Sequence, residues 1–200
     1  MHWGVEYCSF PERSECELAN WLIEQGVDHV IGSHPHVLQP MEIVKDSRTP
    51  ARHVIVYSLG NFISNMSKEK TDGGAMVRLK LQRIFRITRL ADCEYALVWT
   101  SRPVLSKKKN FELYPVTFIN KSIHNEELNV MKRFLKGTEN LLGKSNGGIK
   151  EYFFEMILSH VCGILDGQVC FLNLFSFFQI FDTSFLFYTI KFISFLFLFE

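Results

Sequence analysis

His34 and His36 stand one residue apart in a short loop sequence, Gly32-Ser33-His34-Pro35-His36. On extended backbone two such side chains point the same way, because side chains there repeat with period two. That spacing brings two neutral nitrogen donors to one metal ion or one phosphate, and imidazole is the commonest metal ligand in proteins. Gly32, just before the pair, is expected to let the backbone approach a ligand closely. His2 opens an earlier run, residues 2–7, and Glu6 follows within the same run. A carboxylate there can bind the ion itself or fix the tautomer of a ligand histidine. Asn61, after Gly60, is placed to contact substrate or simply to close a turn, since Asn is a turn former. The bland alternative for the histidine pair is a loop that only happens to hold two imidazoles. His29, His53, His124 and His160 have no companion and read as surface or capping residues.

These side chains need elements to hold them. Residues 11–25 read as a helix, with Pro11 suited to a first turn and Glu12, Glu15 and Glu17 suited to its positive end. Leu18, Trp21 and Leu22 fall at helical spacing and are expected to form its buried face. Gly26 is a natural stop. Residues 27–31 then read as a short buried strand whose end carries the histidine loop, and open α/β sheets favour ligand sites at that position. Residues 41–44 and 53–57 read as two further strands joined by a turn-rich segment. Residues 64–74 read as a polar mobile loop ending in Gly73-Gly74, and residues 75–81, 84–90, 94–100 and 114–119 as short strands. Residues 124–142 have a helical pattern, with Leu128, Met131, Leu135 and Leu142 on one side.

Composition narrows the functional classes. Two hundred residues allow one ordinary domain. A net charge of +1 predicts no nucleic-acid partner, since that role needs a basic face. Lys107-Lys108-Lys109 reads as a solvated turn. Five cysteines, scattered and without a Cys-x-x-Cys pair, argue against a zinc ribbon or a disulfide framework. No secretory signal peptide is visible at the start. Nineteen phenylalanines are many, and eleven of them fall in residues 171–199. A membrane helix needs about 20 mostly apolar residues. Asp182 and Lys191 interrupt this stretch, each at a cost of about 2.5–3.5 kcal/mol at mid-bilayer. Three readings stay open for the tail: a membrane segment, a non-native translation of AT-rich sequence, and a packed helix.

Three runs taken in order carry more than any one of them: HWGVEY at 2–7, GSHPHVLQP at 32–40 and VYSLGNF at 56–62. Together they resemble the capsule-biosynthesis CapA family, over residues 1–120. The resemblance implies a role in capsule or poly-γ-glutamate synthesis and export, and an α/β fold similar to the calcineurin-like metallophosphoesterase sandwich. In such sandwiches two metal ions activate a water and clamp a phosphate. It implies His2, His34 and His36 as metal ligands; beside them the residues themselves offer His34 and Glu6 as catalytic groups and Asn61 as a substrate contact. The implied cofactor is a divalent metal (Mn, Zn or Fe), and the implied activity a metal-dependent phosphoesterase-like hydrolase. Implied partners are a polyanionic polymer or phosphate-bearing substrate and other capsule-export subunits, with the membrane reached through the Phe-rich tail. The implied location is membrane-associated or cell-surface.

The family's earlier Gly-Asp, Asn-Leu-Glu and Asn-x-x-Asn-His motifs do not occur here, and carboxylates are what neutralise a metal pair. The sequence is therefore expected to be the C-terminal part of a CapA-like domain (1–120), a helical extension (121–165) and the Phe-rich tail (166–200). As such a fragment it is expected to be inactive alone. The rival readings are a non-catalytic accessory subunit of polymer export and an inactive gene remnant.

Overall fold

A computed structural model describes residues 1–46, 49–117 and 123–152. The Phe-rich tail, with every reading made of it, lies outside these residues, as do His160, Cys162 and Cys170. The described chain is an α/β structure of two facing sheets. Its elements run α1 (Arg13–Glu24), β1 (His29–Ile31), β2 (Met41–Lys45), β3 (Arg52–Val56), β4 (Gly73–Ile84), β5 (Ile87–Ser101), α2 (Pro103–Ser106), β6 (Glu112–Pro115), α3 (Asn125–Ser145), β7 (Asn146–Gly147) and β8 (Lys150–Glu151). The first sheet has the order β1-β3-β2-β7, with β1 parallel and β2 antiparallel to β3. The second has β4-β5-β6, with β8 also pairing β5. Among the described residues no helix is long and apolar enough to cross a membrane.

Strand β3 explains the layering. After Arg52 and His53 its residues Val54-Ile55-Val56 are apolar without a break, as befits a strand covered on both faces. Val54 and Val56 face the second sheet, while Ile55 and the following Tyr57 face α1. All four are buried. The core between the sheets adds Met41, Leu79, Leu97 and Trp99, closed off by Met131, Phe134 and Leu142 of α3. Each large side chain buried in this way contributes about 1.5–3 kcal/mol. Helix α3, read from sequence as part of an extension, thus shares the main core. Phe134 joins its buried face, whereas Leu128 and Leu135 are only partly covered.

Helix α1 forms where expected but turns a different face inward. Ala19 is fully buried, with Cys16, Leu22 and Ile23 packed beside it, while Trp21 is 53% exposed and Leu18 39%. The reason is its start. Glu12 is the N-cap and its backbone N–H donates to the Glu15 carboxylate at 2.8 Å, so Glu15 is buried and the helix is rotated to keep it there.

Other differences concern strand continuity. The two short strands expected at 84–90 and 94–100 are one 15-residue strand, β5, which pairs with β4 through the tight turn at Phe85-Arg86. The pair Gly73-Gly74 begins β4 and is buried, where a mobile loop was expected to end. A β-carbon on Gly74 would lie 2.3 Å from the Leu59 carbonyl oxygen. Only glycine allows this approach, because here the chain crosses between the sheets. The Leu59 N–H donates to the Gly32 carbonyl at 3.1 Å, and its own carbonyl accepts from Ala75 N–H at 2.8 Å.

Candidate metal centre

The site lies at the carboxyl end of β1, where the chain leaves the sheet at Gly32. Residues 1–8 run beside this loop and are stitched to it. Trp3 N–H donates to the Ser33 carbonyl at 3.2 Å, and Tyr7 N–H to the Pro35 carbonyl at 2.8 Å. His2 pairs with Ser33 in a parallel bridge. Underneath, the Trp3 indole N–H donates to the Tyr57 carbonyl at 2.8 Å, satisfying a buried indole. Gly32 is required by this packing. A β-carbon there would meet the Tyr57 oxygen at 2.1 Å and the Trp3 nitrogen at 2.4 Å.

The histidine pair does not use extended backbone. His34 has φ 110° and His36 φ 61°, and Tyr7 opposite them has φ 67°. Such left-handed positions cost about 1–3 kcal/mol each in non-glycine residues, and they cluster where geometry serves a site. Pro35, buried between the two, and the hydrogen bond it accepts from Tyr7 N–H hold the turn in place. The period-two argument therefore fails in its reason, though the rings do converge, with centroids 6.1 Å apart.

Donor atoms of Glu6, His34 and His36 all lie within 4.8 Å of one another. His36 Nε2 and Glu6 Oε1 are 4.0 Å apart. That is too long for a hydrogen bond. It is a few tenths of an ångström wider than the roughly 3.3–3.6 Å that separates two ligands held about 2.0–2.2 Å from one tetrahedral ion, so a small side-chain movement brings both onto it. The other nitrogen of His36, Nδ1, lies 3.1 Å from Asn61 Oδ1. The Asn61 amide nitrogen in turn donates to the Thr71 carbonyl at 2.8 Å, so its oxygen is the end left to face His36. Asn61 can then accept from Nδ1–H, leaving Nε2 as a lone-pair donor toward Glu6, the arrangement metal-binding histidines favour. Asn61, read as a substrate contact, is thus placed behind a histidine.

His2 takes another position. Its ring packs on that of His34 with centroids 4.2 Å apart and a tilt of 41°, outside the compact trio. Tyr7 stacks on His36 at 6.1 Å, and the Lys68 ammonium lies 3.5 Å over the Tyr7 ring. Loss of hydration first, and the adjacent Glu6 charge second, raise the Tyr7 phenol above its ordinary value, so it stays protonated at neutral pH. Sequence reasoning passed over Tyr7 and Lys68; the signal available for Tyr7 was its adjacency to Glu6, and for Lys68 there was none. Of the histidines read as isolated, His53 is buried, its Nδ1 2.9 Å from the Asp28 carbonyl, because it begins the doubly covered strand β3. His29 Nδ1 accepts from the Val54 N–H at 3.1 Å.

Comparison with known proteins bears on the same stretch. Residues 1–66 match the family described as bacterial capsule synthesis protein PGA_cap. The chain is 37% identical over 82 residues to the PGA biosynthesis protein CapA of Bacillus subtilis (strain 168), covering 41% of this chain and 20% of that protein. It is 36% identical over 81 residues to the capsule biosynthesis protein CapA of Bacillus anthracis, covering 40% and 18% respectively. The chain thus spans about a fifth of the length of the curated relatives it matches. No solved structure gives a significant match.

Proposed function

We propose that this chain, whose residues 1–66 match the bacterial capsule synthesis family, serves capsule or poly-γ-glutamate synthesis at the cell envelope through a metal-supported site. The site residues are Glu6, His34 and His36, with Asn61 orienting His36 and His2 backing His34. The observation that carries this reading is the 4.0 Å separation of His36 Nε2 from Glu6 Oε1, with Asn61 occupying the far nitrogen of the same ring. Two imidazoles and a carboxylate are the donor set of many catalytic zinc sites, which keep a fourth position open. When bound there, a divalent ion (Mn, Zn or Fe) supplies a Lewis acid and a water of lowered pKa.

The chain's own residues account for the rest. Glu6 brings negative charge to the ion, and the protonated Tyr7 hydroxyl hydrogen-bonds to its carboxylate. His34, half-exposed between the rings of His2 and His36, presents its edge where a substrate would arrive. The sandwich of two sheets with the site at a strand end is the architecture we read as metallophosphoesterase-like. The substrate we assign is a phosphate-bearing or polyanionic polymer group, met with other export subunits of the envelope.

Among the described residues the trio holds one carboxylate, and a two-metal centre needs more negative charge than that. We therefore expect the chain alone to bind one ion and to turn over phosphodiesters poorly. Titration of Mn or Zn into the full chain should give one site, weakened at least tenfold by His36→Ala and by Glu6→Gln. Equal affinity in both variants would end the metal reading. Robust phosphodiesterase turnover abolished by His34→Ala would show the expected inactivity to be wrong.

A further inference from the structure

Resting on the metal reading above, we propose that Lys68 and Lys70 form an anion-binding arm of the site, taking the carboxylate or phosphate of an anionic substrate. Both lysines sit on the segment between Asn61 and β4. This segment is built, not loosely draped. Asn61 N–H donates to the Gly73 carbonyl at 3.0 Å, closing the segment at its base. The fully buried Thr71 donates twice to the Lys68 carbonyl, from its N–H at 3.1 Å and from its hydroxyl at 2.7 Å. Lys68 is therefore fixed at its backbone while its side chain is free to act.

That side chain reaches the site. Its ammonium lies over the Tyr7 ring, and the Tyr7 ring lies on His36. Lys70, held at φ 69°, extends its ammonium to 3.5 Å from the Ser9 hydroxyl, on the same loop that carries Glu6 and Tyr7. Neither lysine has a carboxylate within 4.0 Å among the described residues, where Lys108 and Arg78 each have one. Two cations without counter-ions, one brought by a cation–π contact and the other by a hydrogen bond to one rim of a cation-binding cluster, leave that rim in need of an anion.

The Asn61 side chain adds a link. One end accepts from His36 and the other donates to Thr71, so the lysine segment and the ligand histidine share one amide. An anion seated on the lysines would thus be registered against the ion that His36 holds.

The test uses the full chain with stoichiometric Mn, titrated with inorganic phosphate in one arm and a γ-linked glutamate hexamer in the other. Lys68→Gln with Lys70→Gln should weaken anion binding about tenfold, since each exposed ion pair is worth up to about 1 kcal/mol. Metal affinity should stay within twofold, and raised salt should erase the difference. Lys68→Arg should restore most of the lost binding. A loss confined to the hexamer arm identifies a carboxylate polymer, and one confined to phosphate identifies a phosphate ester. Undiminished anion binding in the double variant overturns the proposal. If no metal binds, the same titrations on metal-free protein decide it: lysine-dependent binding supports the arm, and lysine-independent or absent binding overturns it, while the metal reading fails separately.

Discussion

Gly32→Ala gives the clearest test of how the fold holds the candidate centre, because two lines of reasoning give opposite signs. Gly32 is not among the glycines with a left-handed φ, so its backbone suits alanine. On backbone entropy alone the substitution would stabilise the protein by about 0.4–1 kcal/mol. The packing says otherwise. The new methyl would sit 2.1 Å from the Tyr57 carbonyl oxygen and 2.4 Å from the Trp3 indole nitrogen, and ordinary contact begins at 3.4 Å. Those two atoms are the acceptor and donor of one buried hydrogen bond. The methyl must force them apart. Leaving a buried pair unsatisfied costs about 1–3 kcal/mol, and overpacking a core costs about 1–3 kcal/mol more. The expected net loss is about 2–5 kcal/mol. It should appear as a lower urea midpoint with an unchanged slope, followed by far-UV circular dichroism. In a Trp3→Phe background, which removes the indole nitrogen, the same substitution should cost at least about 1 kcal/mol less, a coupling typical of residues in contact. A neutral or stabilising Gly32→Ala would refute the claim that this packing requires the glycine.

Further outcomes follow from neighbouring observations. Asn61→Leu removes the partner of His36 Nδ1 and should weaken metal binding about 10–100-fold, as loss of such outer partners does, with a smaller effect on melting; an unchanged metal affinity would contradict the orientation argument. Burial first, and the nearby Asp92 and Glu94 charges second, push the Cys93 thiol up to about 12 from 9.0. Unfolded chains therefore lose this proton before folded ones do. Stability should fall as pH rises from about 9 toward 12, by up to about 1.4 kcal/mol per pH unit for this group, and Cys93→Ala should flatten that slope. Tyr57 and Tyr114, both raised chiefly by burial from an ordinary value of 10.0, act in the same direction once the pH passes about 10.

Much of the front of the chain was legible because its signals are local. The α1 pattern, the apolar runs of β1 and β3, and the histidine loop at a strand end each announce themselves within a few residues. What stayed hidden depends on distant partners. The rotation of α1 is set by Glu15 serving as a cap partner, which periodicity alone cannot distinguish from an exposed acid. The burial of His53 follows from β1 and α1 closing over β3. Fusion of two short strands into β5 depends on pairing with β4 along its whole length, including a bulge between Lys80 and Leu81. In the site, the residue types were readable but their order around the cluster was not. Glu6 joins His34 and His36 while His2 lies against His34, because hydrogen bonds between residues 1–8 and the loop decide which side chain faces inward.

Leu59 has the widest consequence. Its amide is tied to Gly32, at the root of the histidine loop, and its carbonyl to Ala75, in the opposite sheet. One residue, through the peptide groups on either side of it, thus ties both halves of the sandwich to the candidate centre. Breathing of either layer is therefore expected to tug on the imidazoles, and the centre to melt together with the two halves and not in a transition of its own.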